Sequence, residues 1–134
     1  MYNNVMLTLE QTEQAINEIV ESLPEEIFVD LNGGVLLRED VKLHSQSRTE
    51  DLYILGEYYR DRIFGRYIVI YYGSLVKVFR HLNSARFRGE LERVLKHELT
   101  HHLETRAGEH DLERQDEREL LHYLARHRPE DAAH

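Results

Sequence analysis

Leucines stand at positions 91, 95, 99 and 103, with Val94 beside them. Apolar residues that recur every three to four positions share one face of an α-helix, so residues 86–107 read as a long amphipathic helix. Its stripe needs a core to pack on, and the rest of the chain must supply the covering surface. Gly108 follows the run, and Arg106 suits the negative end of a helix dipole, so the helix is expected to end at Ala107-Gly108. Ser84 is its expected N-cap.

The same helix carries His97-Glu98-Leu99-Thr100-His101, an H-E-x-x-H pattern. Residues four apart lie on one face about one turn from each other, so both imidazoles can address a single divalent ion. Glu98 lies about 100° round the helix, where it can act as a general base beside the ion. With 9 His and 25 Asp plus Glu in the chain, the pattern can arise by coincidence, and its setting therefore matters. The setting is favourable, because both histidines flank the apolar stripe next to Val94. A zinc-dependent hydrolase is the leading reading. A catalytic zinc needs a third protein ligand, and Glu109, His110, Asp111, Asp116, Glu117 and Glu119 are the candidates downstream. A straight helix puts Gly108 roughly 10 Å beyond His101, so a ligand from the loop must fold back. Asp116 or Glu117 on an antiparallel helix would face the histidines directly.

The block from His97 to Leu103, followed by Gly108-x-x-Asp111, resembles the minimal zincins, small and mostly bacterial zincin-like metallopeptidases with the pattern H-E-x-x-H-x-x-G-x-x-D. The resemblance implies His97, His101 and Asp111 as ligands of Zn2+ and Glu98 as the catalytic base. It implies hydrolysis of a peptide bond with a metal-activated water. It also implies an α+β fold in which a small mixed sheet packs against helices and the H-E-x-x-H helix is central. In this chain residues 103–107 separate His102 from Gly108 where the family's shorter form has one residue, an insertion of about one helical turn. The likeness is specific at the motif and looser over residues 8–125, through Leu23-Pro24-Glu25-Glu26 and the strand-like run 66–72.

A chain of 134 residues and 16.0 kDa is expected to form one domain, 1–134, with a frayed tail over about 128–134. It has no cysteine, so any zinc site must use His, Asp or Glu, and a cytoplasmic setting is expected. No apolar run approaches the ~20 residues of a membrane span, and no signal-peptide pattern opens the chain. A net charge of −8 argues against a nucleic-acid partner. Arg80, Arg86, Arg88 and Arg93 read as a solvated face. The expected partner is a peptide or protein substrate; oligomeric state and substrate identity are not encoded legibly.

Along the chain, Thr8 and Gln11 make a capping box for a helix burying Ala15, Ile16, Ile19, Val20 and Leu23. Pro24 restarts the chain in a short helix over 25–31, broken by Asn32-Gly33-Gly34. Strands are expected over 35–37, 51–59 and 66–72, a polar loop over 38–50, and a short helix over 74–82. A last helix over 111–126 turns Leu112, Leu120, Leu121 and Leu124 inward. The strand 67–72 either fills the core or serves as an edge for an extended substrate, with the core role favoured. Tyr71 and Tyr72 are both conceivable hydrogen-bond donors to an oxyanion, and the spacing assigns neither. His102 points away from His101 toward the stripe and reads as a packed histidine; His122, His127 and His134 read as surface groups. Two rival readings stand beside the enzyme: a protein in which zinc is structural, and an acidic interaction module in which the motif is a coincidence.

Overall fold

The structure, a computed structural model, describes residues 6–45, 52–109 and 114–126. Helix α1 (Leu9–Ser22) starts where the capping box requires: the Gln11 amide donates to Thr8 Oγ1 at 3.1 Å and the Thr8 amide to Gln11 Oε1 at 2.9 Å. Leu23, held extended before Pro24, stops it. A 3-10 turn (Glu25–Phe28) follows, shorter than the expected helix, and leads into strand β1 (Gly34–Arg38). Strands β2 (Gly56–Asp61) and β3 (Gly65–Tyr71) form a hairpin, α2 (Tyr72–Phe79) begins at once, and α3 (Ser84–Glu109) and α4 (Arg114–Arg126) complete the chain. The protein is α+β, a three-stranded mixed sheet packed against helices.

The sheet order is β1-β3-β2, with β3 parallel to β1 and antiparallel to β2. The strand expected as a possible edge is therefore the centre, and the reason lies in its composition. Ile68 and Ile70 are fully buried on the face that meets α3, while Val69 and Tyr71 are buried on the other face. A strand covered on both faces belongs inside a sheet, and the mixed-polarity strands take the edges. Tyr72 leaves the sheet to open α2. The region 51–59 yields a strand only from Gly56, preceded by an isolated Leu43–Tyr53 bridge.

Helix α3 lies across the inner face of the sheet. Leu91, Leu95, Leu99 and Leu103 are all fully buried, joined by Phe87, Ile68, Ile70, Ile19 and Ile27 in one cluster. Each such leucine contributes about 1.5–3 kcal/mol by leaving water. The helix differs from expectation at both ends. Asn83, not Ser84, caps it, its Oδ1 accepting the Arg86 amide at 2.9 Å, and it runs through Gly108 to Glu109. Gly56 makes a close approach possible, since a Cβ there would stand 3.0 Å from Val94 Cγ1. No described helix is long and apolar enough to cross a membrane.

Candidate metal site

Two side chains of α3 converge as the spacing predicts. His97 Nε2 and His101 Nε2 are 3.1 Å apart, and the rings stand edge to face with centroids at 4.7 Å. Both residues are exposed. Two nitrogens bound to one tetrahedral zinc at about 2.0–2.1 Å would be roughly 3.3 Å apart, so the pair needs only a small adjustment to accept a divalent ion. Imidazole is also a preferred donor for such an ion. The two residues present fit zinc.

Glu98 is buried, unlike the two histidines of the motif. It is 7% exposed, and burial pushes its carboxyl above the usual carboxylate range; the charge of nearby His101 opposes the rise and that of Glu57 adds to it. A carboxyl poised in this way holds a proton more readily than a solvated one, which is the property of a group that must accept a proton and pass it on.

Glu57 stands on β2 opposite Val69, on the other face of the sheet, and its environment is the reverse. Burial works to raise its carboxyl, but hydrogen bonds from Lys42, Tyr59 and Tyr71 outweigh it and hold the group below its usual range. Tyr71 donates to Glu57 Oε1 at 2.9 Å, Lys42 Nζ donates to the Tyr59 hydroxyl at 3.0 Å, and Lys42 and Tyr59 both hydrogen-bond Glu57. The Glu57 contact raises the Lys42 ammonium well above its normal range. This cluster faces a groove of about 680 Å3 on the outer sheet face, whose apolar lining includes Leu36, Val41, Phe64 and Val69. No sequence signal marks it, because its members come from a loop and two strands.

The tyrosines weighed as oxyanion donors are committed elsewhere. Tyr71 is in the Glu57 cluster, and the Tyr72 hydroxyl donates to the Leu7 carbonyl at 2.8 Å. His102 is fully buried, as its position facing the stripe implies. Its Nε2 is 2.8 Å from the Val29 carbonyl, an obligate acceptor, so Nε2 carries the proton and Nδ1 accepts the Tyr58 hydroxyl at 2.7 Å. Burial pushes its pKa below the ordinary histidine value.

The downstream acids divide clearly. Glu109 is bound by Arg66 and lies 3.6 Å from Arg60. Glu117 is 1% exposed and paired with Arg106 at 2.9 Å, so it is engaged between α3 and α4 instead of facing the histidines. Asp116 and Glu119 are exposed on α4. Asp111, the third ligand implied by the minimal zincins, and His110 lie outside the described residues. Among the described residues no group of three His, Asp or Glu side chains is arranged to hold a metal. One acid the motif reading passed over is Glu104, whose Oε1 is 3.9 Å from His101 Nδ1; its i+3 spacing is the signal that could have found it.

No protein-family model matches this chain, and no curated protein matches it. Among solved structures it is similar to a chain described as a "Conserved hypothetical protein" from "Thermo thermophilus", with 28% identity and a TM-score of 0.65. The likeness covers 77% of this chain and all of that one. What the two chains share is the small α+β fold.

Proposed function

We propose that the protein is a zinc-dependent metallopeptidase of the minimal zincin kind, acting on a peptide or protein in the cytoplasm. The observation that carries the reading is the convergence of His97 Nε2 and His101 Nε2 at 3.1 Å, beside a buried Glu98 whose proton affinity is raised. His97 and His101 hold the ion, and Asp111 is the proposed third ligand. From the end of α3, about 12 Å past His101, two residues of chain can return at most roughly 7 Å. That leaves a gap an aspartate side chain can bridge only if the chain turns back tightly. Bound zinc would polarise the scissile carbonyl and acidify water. Glu98 takes the proton and delivers it to the leaving amine.

Among the described residues no strand pairs with the outer edge of β2, and this supports a peptide substrate. The Tyr71 amide donates to the Leu55 carbonyl at 2.9 Å, and antiparallel pairs alternate between bonded and non-bonded positions. The register therefore turns the backbone N–H and C=O of Gly56, Tyr58 and Arg60 away from β3. That edge passes α3 between Val94, which meets Gly56, and His102, which meets Tyr58, the span that contains the motif. An extended chain added there would run beside the segment of α3 that carries the motif.

The test is elemental analysis of purified protein after remetallation near neutral pH, with peptide hydrolysis measured in parallel. One zinc per chain is expected, lost in His97→Ala and His101→Ala. Glu98→Gln should keep the metal and lose hydrolysis. Absence of stoichiometric zinc in the wild type refutes the reading, and hydrolysis surviving in Glu98→Gln refutes the role of the base. Zinc binding without hydrolysis of any peptide in a broad library would favour the structural-zinc alternative.

A further inference from the structure

The groove on the outer sheet face is lined by strand and loop residues alone, and Leu36, Val41 and Phe64 leave apolar surface there in water. Beside it stands the β2–β3 turn, residues 62–64. Its Ile63 and Phe64 are 85% and 68% exposed, the most exposed large apolar side chains among the described residues. The turn is fixed by its own chemistry. The Asp61 carboxylate accepts the Ile63 amide at 2.7 Å and the Phe64 amide at 3.0 Å. Gly65 supplies the left-handed residue (φ +77°) that a three-residue hairpin loop requires. A rigid tip that holds two large apolar side chains in water, next to an apolar groove, marks a contact surface.

Charge and symmetry select a second copy of this chain as the partner. The charges around the groove are paired within it, Arg38 with Asp40 at 3.4 Å and Lys42 with Glu57. Two chains of net charge −8 repel each other, and a face whose charges cancel is where they can approach. The face is also self-complementary. The register sets Gly34 beside Tyr67, Leu36 beside Val69 and Arg38 beside Tyr71. The hairpin tip therefore stands at one end of the groove, and Arg38, Asp40 and Val41 at the other. A two-fold axis in the plane of the interface, running along the Leu36–Val69–Glu57 row, exchanges these ends. It lays Ile63 and Phe64 of one copy over Val41 of the other and brings Arg62 to Asp40. Asp40 is available, because its pair with Arg38 is solvent-exposed on both sides and therefore weak. We propose that the protein forms a two-fold homodimer through the outer sheet face, each hairpin tip seated on the groove of the other copy. Seven residues of β3 in a three-stranded sheet give a footprint of about 23 Å by 14 Å. That is small for a permanent interface, so the dimer dissociates on dilution. The leucines of α3 pack on the opposite face of the sheet, so the dimer leaves His97 and His101 open and stands apart from the metal reading.

Sedimentation equilibrium of the full chain between about 10 μM and 1 mM tests this. The mass should rise from monomer toward dimer with concentration. The dissociation constant should be at least about tenfold larger in Phe64→Glu and in Leu36→Glu. Both side chains are exposed, so neither change disturbs the core. A second measurement reads the interface without placing a charge in it. The chain has no cysteine, so Asp40→Cys and Arg62→Cys each carry a single thiol. Mixed under mild oxidation, the two variants should form a disulfide-linked dimer much faster than either variant alone. A monomer at every concentration overturns the proposal and leaves the face to a lipid surface or an unlike protein. A dimer that both Phe64→Glu and Leu36→Glu leave intact overturns it too, as does equal crosslinking in the mixture and in the separate variants.

Discussion

The Arg106–Glu117 pair should show strong coupling in a double-mutant cycle. Arg106 and Glu117 side chains are 7% and 1% exposed and 2.9 Å apart. Arg106 also donates to the Glu26 carbonyl at 2.9 Å and the Ile27 carbonyl at 3.3 Å. One guanidinium thus ties α3, α4 and the 3-10 turn together. Removing either partner leaves a charge in a place water cannot reach, which costs about 3–5 kcal/mol. Arg106→Met should sit at the upper end, because two carbonyls lose a donor at about 1 kcal/mol each. The double variant Arg106→Met/Glu117→Leu strands no charge, so its cost should fall at least ~2 kcal/mol short of the sum of the singles. In urea, with a slope of about 1–3 kcal/mol/M, each single change should lower the midpoint by about 2 M with the slope unchanged. Single losses below about 1 kcal/mol, or a double variant equal to the sum, would refute the idea that this pair is buried and coupled.

Two further outcomes follow from named contacts. Burial depresses the His102 pKa below the ordinary 6.5, so as pH falls the unfolded chain binds the extra proton before the fold does. Its contribution to stability is complete above about pH 6.5 and declines as pH falls toward the folded value, at up to about 1.4 kcal/mol per pH unit. Urea unfolding between about pH 5 and 8 should show that slope reduced in His102→Gln, and an identical slope would count against it. Gly73→Ala puts a Cβ 2.6 Å from the Glu39 carbonyl oxygen and 2.7 Å from that of Asp40. The loop must shift, at about 1–3 kcal/mol, and calorimetry should record a melting temperature several degrees lower; no change would mean the loop is not pinned there.

What the chain declares before it folds is whatever repeats or acts within a few residues. The leucine period marks α3, Thr8 and Gln11 mark the start of α1, and the four-residue step between His97 and His101 places both rings on one face, since helix geometry is local. The orientation of His102 toward the stripe comes from the same geometry, but its partners do not: Val29 is 73 positions away and Tyr58 is 44. The ends of α3 depart from the periodic expectation for two reasons. Asn83, one residue earlier than Ser84, caps the first turn, and Glu109 is anchored to Arg66 and Arg60 on the hairpin, which holds the last turn beyond Gly108. Only the packed chain decides that β3 is central, that Glu117 serves Arg106, and that Lys42, Tyr59 and Tyr71 gather round Glu57. Each of these depends on burial from both sides and on which distant groups arrive to share it. Side-chain periodicity tells which face is apolar, and the assembled tertiary contacts tell what that face meets.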